Sequence, residues 1–174
     1  MQRVSISFVL AVSCLLVIGA TFAQGAASSA TATCNFDADK QLAIEYQSVD
    51  LGTKKKVLGN EVPYGKVWAP GDRPMTMFAN TPVSVGGTEV PVGAYTLFVI
   101  PDQKTWTLVV SRSTDTSGKY DEKKDFARIP MQCGTLMEVE PQFTVYFAHT
   151  APDQCSMRLD LEKSRAWIPI KEGK

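Results

Sequence analysis

Alternation of apolar and other residues with a period of two is the feature that most restricts the fold of this chain. Leu42, Ile44 and Tyr46 are separated by single residues, and the same spacing of apolar residues returns within 157–161. Side chains two residues apart lie on the same face of a β-strand, whereas a helix repeats after 3.6 residues. The pattern therefore predicts strands that turn one face toward a core.

The predicted strands are short and are separated by glycine and proline. Residues 95–100 are largely apolar on both faces and end at Pro101, which predicts a central strand covered on both sides. The pair Gly86-Gly87 predicts a hairpin turn. These features indicate an all-β fold, an antiparallel β-sandwich or an open barrel. We expect at most one short helix, a helical turn within 120–125.

The N-terminus has the order of regions that is typical of a secretory signal peptide. Arg3 precedes an apolar run over 4–20, and Thr21-Phe22-Ala23 supplies a small-residue cleavage site. A permanent membrane anchor is disfavoured, because this run is shorter than the roughly 20 residues of a spanning helix and contains serines. We predict a signal peptide over 1–23, a flexible lead-in over 24–33 and a single β-sandwich domain over 34–174. The protein is then secreted or periplasmic, without a stable membrane span after cleavage.

The charge of the chain is balanced, with 18 basic and 18 acidic residues. Loss of Arg3 with the signal peptide leaves one acidic residue in excess. A protein of this charge has no overall basic field to hold nucleic acid or anionic lipid. We therefore expect no nucleic-acid partner.

Four motifs follow one another in an order that resembles a known family. They are VPYGKVW at 62–68, VGAYTLFVIP at 92–101, WTLVVS at 106–111 and YDEKKDFARIPM at 120–131. In this order they resemble the secreted bacterial proteins of domain of unknown function 2911, over about 34–170. The resemblance implies a compact, exported, β-rich domain and brings no established reaction, cofactor or catalytic residue.

The chain also departs from the usual pattern of that family. After Trp68 the segment APGDRP stands where the family commonly has a polar segment, and the usual Arg-Pro is missing near 48–50. The chain thus resembles a variant branch, marked by VPYGKVWAPGDRPMT and by a cysteine near each end of the domain.

Candidate catalytic and metal-binding residues are few. His149 is the only histidine, and no Gly-x-Ser-x-Gly motif accompanies it. Cys133, His149 and Cys155 would form a zinc site only if the fold gathered them, because no short ligand spacing brings them together. We expect His149 to be an ordinary polar residue at a strand end, and we predict no metal and no cofactor.

The acidic residues do not single out a catalytic pair or a calcium site. Asp115, Asp121, Glu122 and Asp125 are the densest group, but lysines are interspersed among them. Alternating charge on a solvated loop explains this group better than the converging oxygens that calcium needs.

The loop at 62–74 is the best candidate for a ligand-binding segment. It combines aromatic rings with donors and an acceptor, and the residues we predict to bind ligand are Tyr64, Lys66, Trp68, Asp72 and Arg73. The alternative is a connection stiffened by prolines, with Trp68 as a plug at one end of the sandwich.

These observations favour an exported β-sandwich without enzymatic activity, which serves as a ligand-binding or envelope accessory module. The partner would be an unknown small molecule, a saccharide or an envelope component. The alternative is a secreted hydrolase that acts through carboxylates the sequence does not identify.

Three cysteines, Cys34, Cys133 and Cys155, remain after Cys14 leaves with the signal peptide. Disulfides persist in an oxidising compartment, and three thiols allow one bridge and one free cysteine. Cys133 lies among apolar residues, where a small buried thiol fits. We predict a bridge between Cys34 and Cys155; the alternative is Cys133–Cys155. The variant branch that this chain resembles also carries cysteines near positions 34 and 155.

Overall fold

The computed structural model describes residues 28–37, 39–50 and 56–173. The strands of this part are β1 (Ser28–Asp37), β2 (Lys40–Ser48), β3 (Met75–Ala79), β4 (Val83–Val85), β5 (Thr88–Val90), β6 (Gly93–Ile100), β7 (Trp106–Ser111), β8 (Asp125–Ala151) and β9 (Gln154–Glu172). The helical structure of the described residues consists of two 3₁₀ turns of three residues each, Pro70–Asp72 and Glu122–Lys124. The predicted signal peptide, 1–23, lies outside them.

All nine strands belong to one antiparallel sheet, in the order β1-β2-β3-β6-β7-β8-β9-β4-β5. The all-β prediction is confirmed, and the turn Glu122–Lys124 lies within the predicted 120–125. The other 3₁₀ turn, Pro70–Asp72, was not predicted, because we expected at most one short helix. No helix in the described ranges is both long and apolar enough to span a membrane.

The last two strands are long, with 27 residues in β8 and 19 in β9, whereas the sequence indicated short strands throughout. Their pairing shifts register between Thr135 and Thr144, where extra residues on β8 bulge out. On the partner strand, Glu162 has a positive φ of 54°. Bulges bend a strand and increase its twist, so one long hairpin spans both halves of the sheet.

Beyond the bulges the hairpin contacts the first two strands, so that the sheet folds over on itself. The Phe143 N–H donates to the carbonyl of Val49 at 3.1 Å. The ring of Phe143 contacts Tyr46 edge-on, with the ring centroids 6.0 Å apart. One core forms between the two halves, and residues of all nine strands contribute to it.

The period-two pattern accounts for which side chains enter this core. Leu42 and Ile44 are fully buried, as the sequence predicts for one strand face. Strand β1 begins at Ser28, so the flexible lead-in predicted for 24–33 is corrected over its described residues, 28–33. They pair in register with β2 because Ala30 and Ala32 continue the alternation and pack against the core.

Strand β6 lies in the centre of the sheet between β3 and β7 and is covered on both faces, as predicted. Leu97 and Val99 face the core. On the opposite face, which we call the outer face, Phe98 is buried against the ring of Tyr120 with the centroids 5.1 Å apart. The segment 112–125 thus shields part of the outer face and leaves the rest to solvent.

Candidate functional site

The loop at 62–74 runs beside the end of β6 and is held by its backbone. Trp68 and Val99 exchange two hydrogen bonds, of 2.7 and 3.0 Å between N and O. The Gly65 N–H also donates to the carbonyl of Pro101 at 2.9 Å. The loop therefore acts as a strand-like connection before the turn Pro70–Asp72.

The five side chains predicted from this loop point in different directions. Trp68 is half-buried, and its ring contacts that of Phe143 edge-on at 5.3 Å between centroids, as a core plug would. Lys66, Asp72 and Arg73 are exposed. Arg73 lines a groove on the outer face, whereas Tyr64 lines a second groove near Cys133. The geometry does not gather the five residues in one groove, and their part in ligand binding stays a prediction.

The groove at Arg73 lies over the outer face of β1, β2 and β3. Its volume is about 440 Å³, within the range of small-molecule sites. We call it the polar groove, and its polar side chains are Ser29, Thr31, Glu45, Gln47, Arg73, Thr76 and Thr116.

Strand register assembles the polar groove from residues that are distant in sequence. Glu45 pairs with Thr31 on one side and with Thr76 on the other. Paired residues of antiparallel strands project from the same face, so these three side chains form a row. The neighbouring pair is Gln47 with Ser29, whose amide and hydroxyl are hydrogen-bonded at 2.9 Å.

The polar groove contains one acidic and one basic side chain that are free to bind. Among the described residues, neither the Glu45 carboxylate nor the Arg73 guanidinium makes a hydrogen bond or an ion pair. The row continues from Thr76 to Thr96, which is fully buried and whose hydroxyl has no hydrogen-bond partner. A polar ligand in the groove would therefore meet a carboxylate acceptor and a guanidinium donor that no other described residue occupies.

A second polar cluster on the outer face is bonded mainly within itself, while Asp125 Oδ1 is buried without a hydrogen-bond partner. The Tyr120 hydroxyl donates to Asp125 Oδ2 at 2.6 Å, and Arg128 donates to the same oxygen at 2.8 Å. Arg128 also donates to Tyr120 and to Glu122. Burial, followed by the hydrogen bond to Asp125, raises the pKa of Tyr120 to about 12. Because both acids hold Arg128, this cluster has the character of a structural network.

The groove at Tyr64 has a volume of about 240 Å³ and contains the free thiol of Cys133. Cys133 is half-buried, more exposed than the sequence indicated. The Trp106 N–H donates to its sulfur at 3.2 Å, but burial outweighs this bond and raises the pKa of the thiol. A thiol that stays protonated is a weak nucleophile and a weak metal ligand.

Comparison with known proteins gives one family. The sequence model described as "Protein of unknown function (DUF2911)" matches residues 27–170. The chain belongs to the DUF2911 family. No curated protein and no solved structure matches it. The resemblance seen in the four motifs is thereby confirmed, while the variant branch stays a prediction.

The disulfide prediction for this DUF2911 domain is confirmed: Cys34 and Cys155 are bridged, with 6.3 Å between their Cα atoms. The alternative, Cys133–Cys155, is therefore wrong. His149 lies beside the bridge, with Nδ1 3.6 Å from the sulfur of Cys155. The fold thus groups His149 with Cys34 and Cys155, whereas the trio weighed for zinc from the sequence contained Cys133.

Sequence reasoning missed most of the polar groove of this DUF2911 domain. The sequence does show one sign of the groove, the polar residues of β2. Glu45 and Gln47 alternate with the apolar residues Ile44 and Tyr46 and therefore face away from the core. Outward-facing polar residues are common on any sheet, so the pattern gains meaning only when register places strands β1 and β3 beside them.

Proposed function

We propose that this DUF2911 protein is an exported binding module without enzymatic activity, which holds a small hydroxylated ligand of the saccharide class in the polar groove. The observation that carries the proposal is the presence in one groove of Glu45 and Arg73, neither bonded to another described residue, together with hydroxyl and amide side chains.

The donors and acceptors of the groove match the hydrogen-bonding capacity of a sugar. A carboxylate only accepts and a guanidinium only donates, whereas a hydroxyl does both. A sugar hydroxyl can donate to Glu45 and accept from Arg73, and Thr31 and Thr76 can serve in either role. Because the two charges are opposite, the groove favours a neutral ligand over a polyanion, which Glu45 would repel.

The carboxylate content of the groove supports binding rather than hydrolysis. Glycoside hydrolysis commonly uses two carboxyl groups roughly 5 to 10 Å apart. Within the described residues, Glu45 is the one acidic side chain that lines the polar groove. The hydrolase alternative would need a second carboxylate beside it.

Export is supported by the order of residues at the N-terminus and by the Cys34–Cys155 bridge. Disulfides are maintained in the periplasm and outside the cell and are rare in the cytosol. N-terminal sequencing of the mature protein is expected to start near Gln24.

Binding is tested with glucose, N-acetylglucosamine, cellobiose and chitobiose as probes, by NMR titration of the backbone amides. We expect at least one probe to shift amides of β1, β2 and β3 in the polar groove. Glu45→Gln should weaken that binding about tenfold or more, because a hydrogen bond to a charged group contributes about 1.5–3 kcal/mol.

Glu89→Gln is the matched control, since Glu89 is exposed on β5 and does not line the groove. It should bind as the wild type does. The proposal is wrong if none of the four probes shifts groove amides, or if Glu45→Gln and Glu89→Gln bind the probe equally well.

A further inference from the structure

We propose that reduction of the Cys34–Cys155 disulfide creates a binding site for a divalent cation of the zinc type, with Cys34, His149 and Cys155 as ligands. The observation that points to it is the convergence of three ligand atoms, the two sulfurs and a ring nitrogen of His149, which all lie within 4.8 Å of one another.

The spacing of these atoms is close to that of a zinc site. Tetrahedral zinc with bonds of about 2.3 Å to sulfur and about 2.0 Å to nitrogen places S and N about 3.5 Å apart, and two sulfurs about 3.8 Å apart. The observed separations between Cys155 Sγ and the ring nitrogens of His149 are 3.6 and 3.8 Å. The histidine therefore already lies at ligand distance from Cys155. Because both ring nitrogens are almost equally far from the sulfur, neither directs its lone pair at it, so the ring must turn as the two sulfurs move apart.

The backbone can hold this arrangement after the S–S bond is broken. His149 and Cys155 are directly paired residues of β8 and β9, and Cys34 is paired with Leu42 of β2. The Cα atoms of the two cysteines lie 6.3 Å apart, toward the upper end of the range for bridged cysteines. Rotation of the side chains can thus separate the sulfurs while the strands stay in place.

The conversion needs a dithiol reductant. The reductant transfers two electrons and two protons to the bridge, the bond between the sulfurs breaks, and the reductant leaves as its own disulfide. The cation then replaces both thiol protons, which pass to solvent, and accepts a lone pair from neutral His149. Thiolate and imidazole ligands select zinc and related cations over magnesium and calcium.

Charge and burial also suit this site. Both cysteines are fully buried, and two thiolates without a counter-charge would be costly there. A divalent cation makes the sum of charges zero. His149 is exposed, so the fourth coordination position faces solvent and takes a water molecule, as in zinc sites with three protein ligands.

The test uses cobalt(II) as the probe, added to the mature protein after reduction with dithiothreitol and its removal under anaerobic conditions. Cys133→Ser is the background, so that Cys34 and Cys155 supply the thiols. We expect one cobalt per chain, with thiolate charge-transfer bands and the visible bands of tetrahedral cobalt. His149→Ala should weaken cobalt binding at least tenfold, since even loss of an outer-shell partner of a metal ligand costs about 10- to 100-fold.

Three outcomes would overturn the proposal. The first is equal cobalt binding by the oxidised protein, which has no free thiols in this background. The second is an unchanged affinity in both His149→Ala and His149→Gln. The third is a cobalt complex that lacks the near-ultraviolet circular dichroism of the oxidised protein, because the thiols would then be binding metal in an unfolded chain.

Discussion

Polar side chains that are buried outside the apolar core differ in whether their atoms are paired. Asp160 is buried on β9, and its two oxygens accept from Arg165 at 2.8 and 2.6 Å, a bond that also raises the pKa of Arg165. Thr96 is fully buried, but its hydroxyl has no hydrogen-bond partner. A buried polar group that is hydrogen-bonded stabilises the fold, whereas one without a partner costs free energy. The unpaired hydroxyl of Thr96 lies next to Thr76, which lines the polar groove.

The hydroxyl of Tyr120 should make the stability of the protein depend on alkaline pH. Its pKa in the folded protein is about 12, against an ordinary value of 10.0. Because the folded state holds this proton more tightly, its contribution to stability is present below about pH 10 and is lost as the pH rises to about 12. We expect the free energy of unfolding, measured in urea, to fall more steeply over this interval in the wild type than in Tyr120→Phe.

The Tyr120→Phe variant also supplies the control for this measurement. It retains the ring that contacts Phe98 and removes only the hydroxyl, so other titrations are shared by both proteins. Below pH 10 the variant should be less stable by about 1 kcal/mol, the usual contribution of a hydrogen bond. Equal slopes above pH 10 would show that Tyr120 titrates as it does in the unfolded chain.

At the level of the strands, alternation predicts well where it is uninterrupted. Residues 42–46, 95–100 and 157–161 are strands whose apolar residues are buried, as predicted, except that Ala43 and Ile100 are partly exposed. The full length of β8 could not be predicted, because Gly134, Glu138 and Pro141 break the pattern where the strand bulges. The polar groove was missed for a related reason, since strand register is set by three-dimensional pairing that a single sequence does not display.

The hairpin of β4 and β5 gives a test of local packing, because its two turn glycines both have a positive φ but very different surroundings. Gly86 and Gly87 have φ of +56° and +88°. A Cβ on Gly86 would lie 2.7 Å from Ile168 Cδ1 and 2.8 Å from Ile129 Cγ2, whereas nothing lies within 4 Å of one on Gly87. Both isoleucines are buried and have little room to move.

We therefore expect Gly86→Ala to be less stable than Gly87→Ala. Each substitution carries the cost of a positive φ for a residue with a Cβ, about 1–2 kcal/mol. The first adds overpacking in the core, about 1–3 kcal/mol more. Thermal and urea unfolding of the two variants measure the difference in stability. An equal loss of stability in both variants would mean that the side chains of Ile129 and Ile168 move aside at no cost in free energy.

For the whole molecule, the Cys34–Cys155 bridge closes a loop with a sequence separation of 121. The number of cysteines and their sequence surroundings predicted this pair. They did not predict that His149 lies beside it, because that contact depends on the register of β8 and β9. In the chain-entropy model a loop of this length contributes about 5 kcal/mol to stability. The double variant Cys34→Ser, Cys155→Ser should lose most of that amount in urea unfolding.

Cys133→Ser is the matched control for the double variant, since it removes a half-buried thiol without opening a loop. It should change the free energy of unfolding by less than about 1 kcal/mol. Similar losses in the two proteins would mean that the bridge adds little beyond the packing of its sulfurs.

The contact between the first strand and the last long hairpin has a consequence for the order of events during synthesis. A ribosome completes β1 first and β9 last, and long-range contacts form slowly because the intervening chain must be brought together. The core cannot close until β9 has emerged, since this strand pairs with β8 and carries Cys155, which is bridged to Cys34 of β1. Until then the nascent chain remains without its native fold, which is the condition in which a polypeptide can be threaded through a narrow translocation channel.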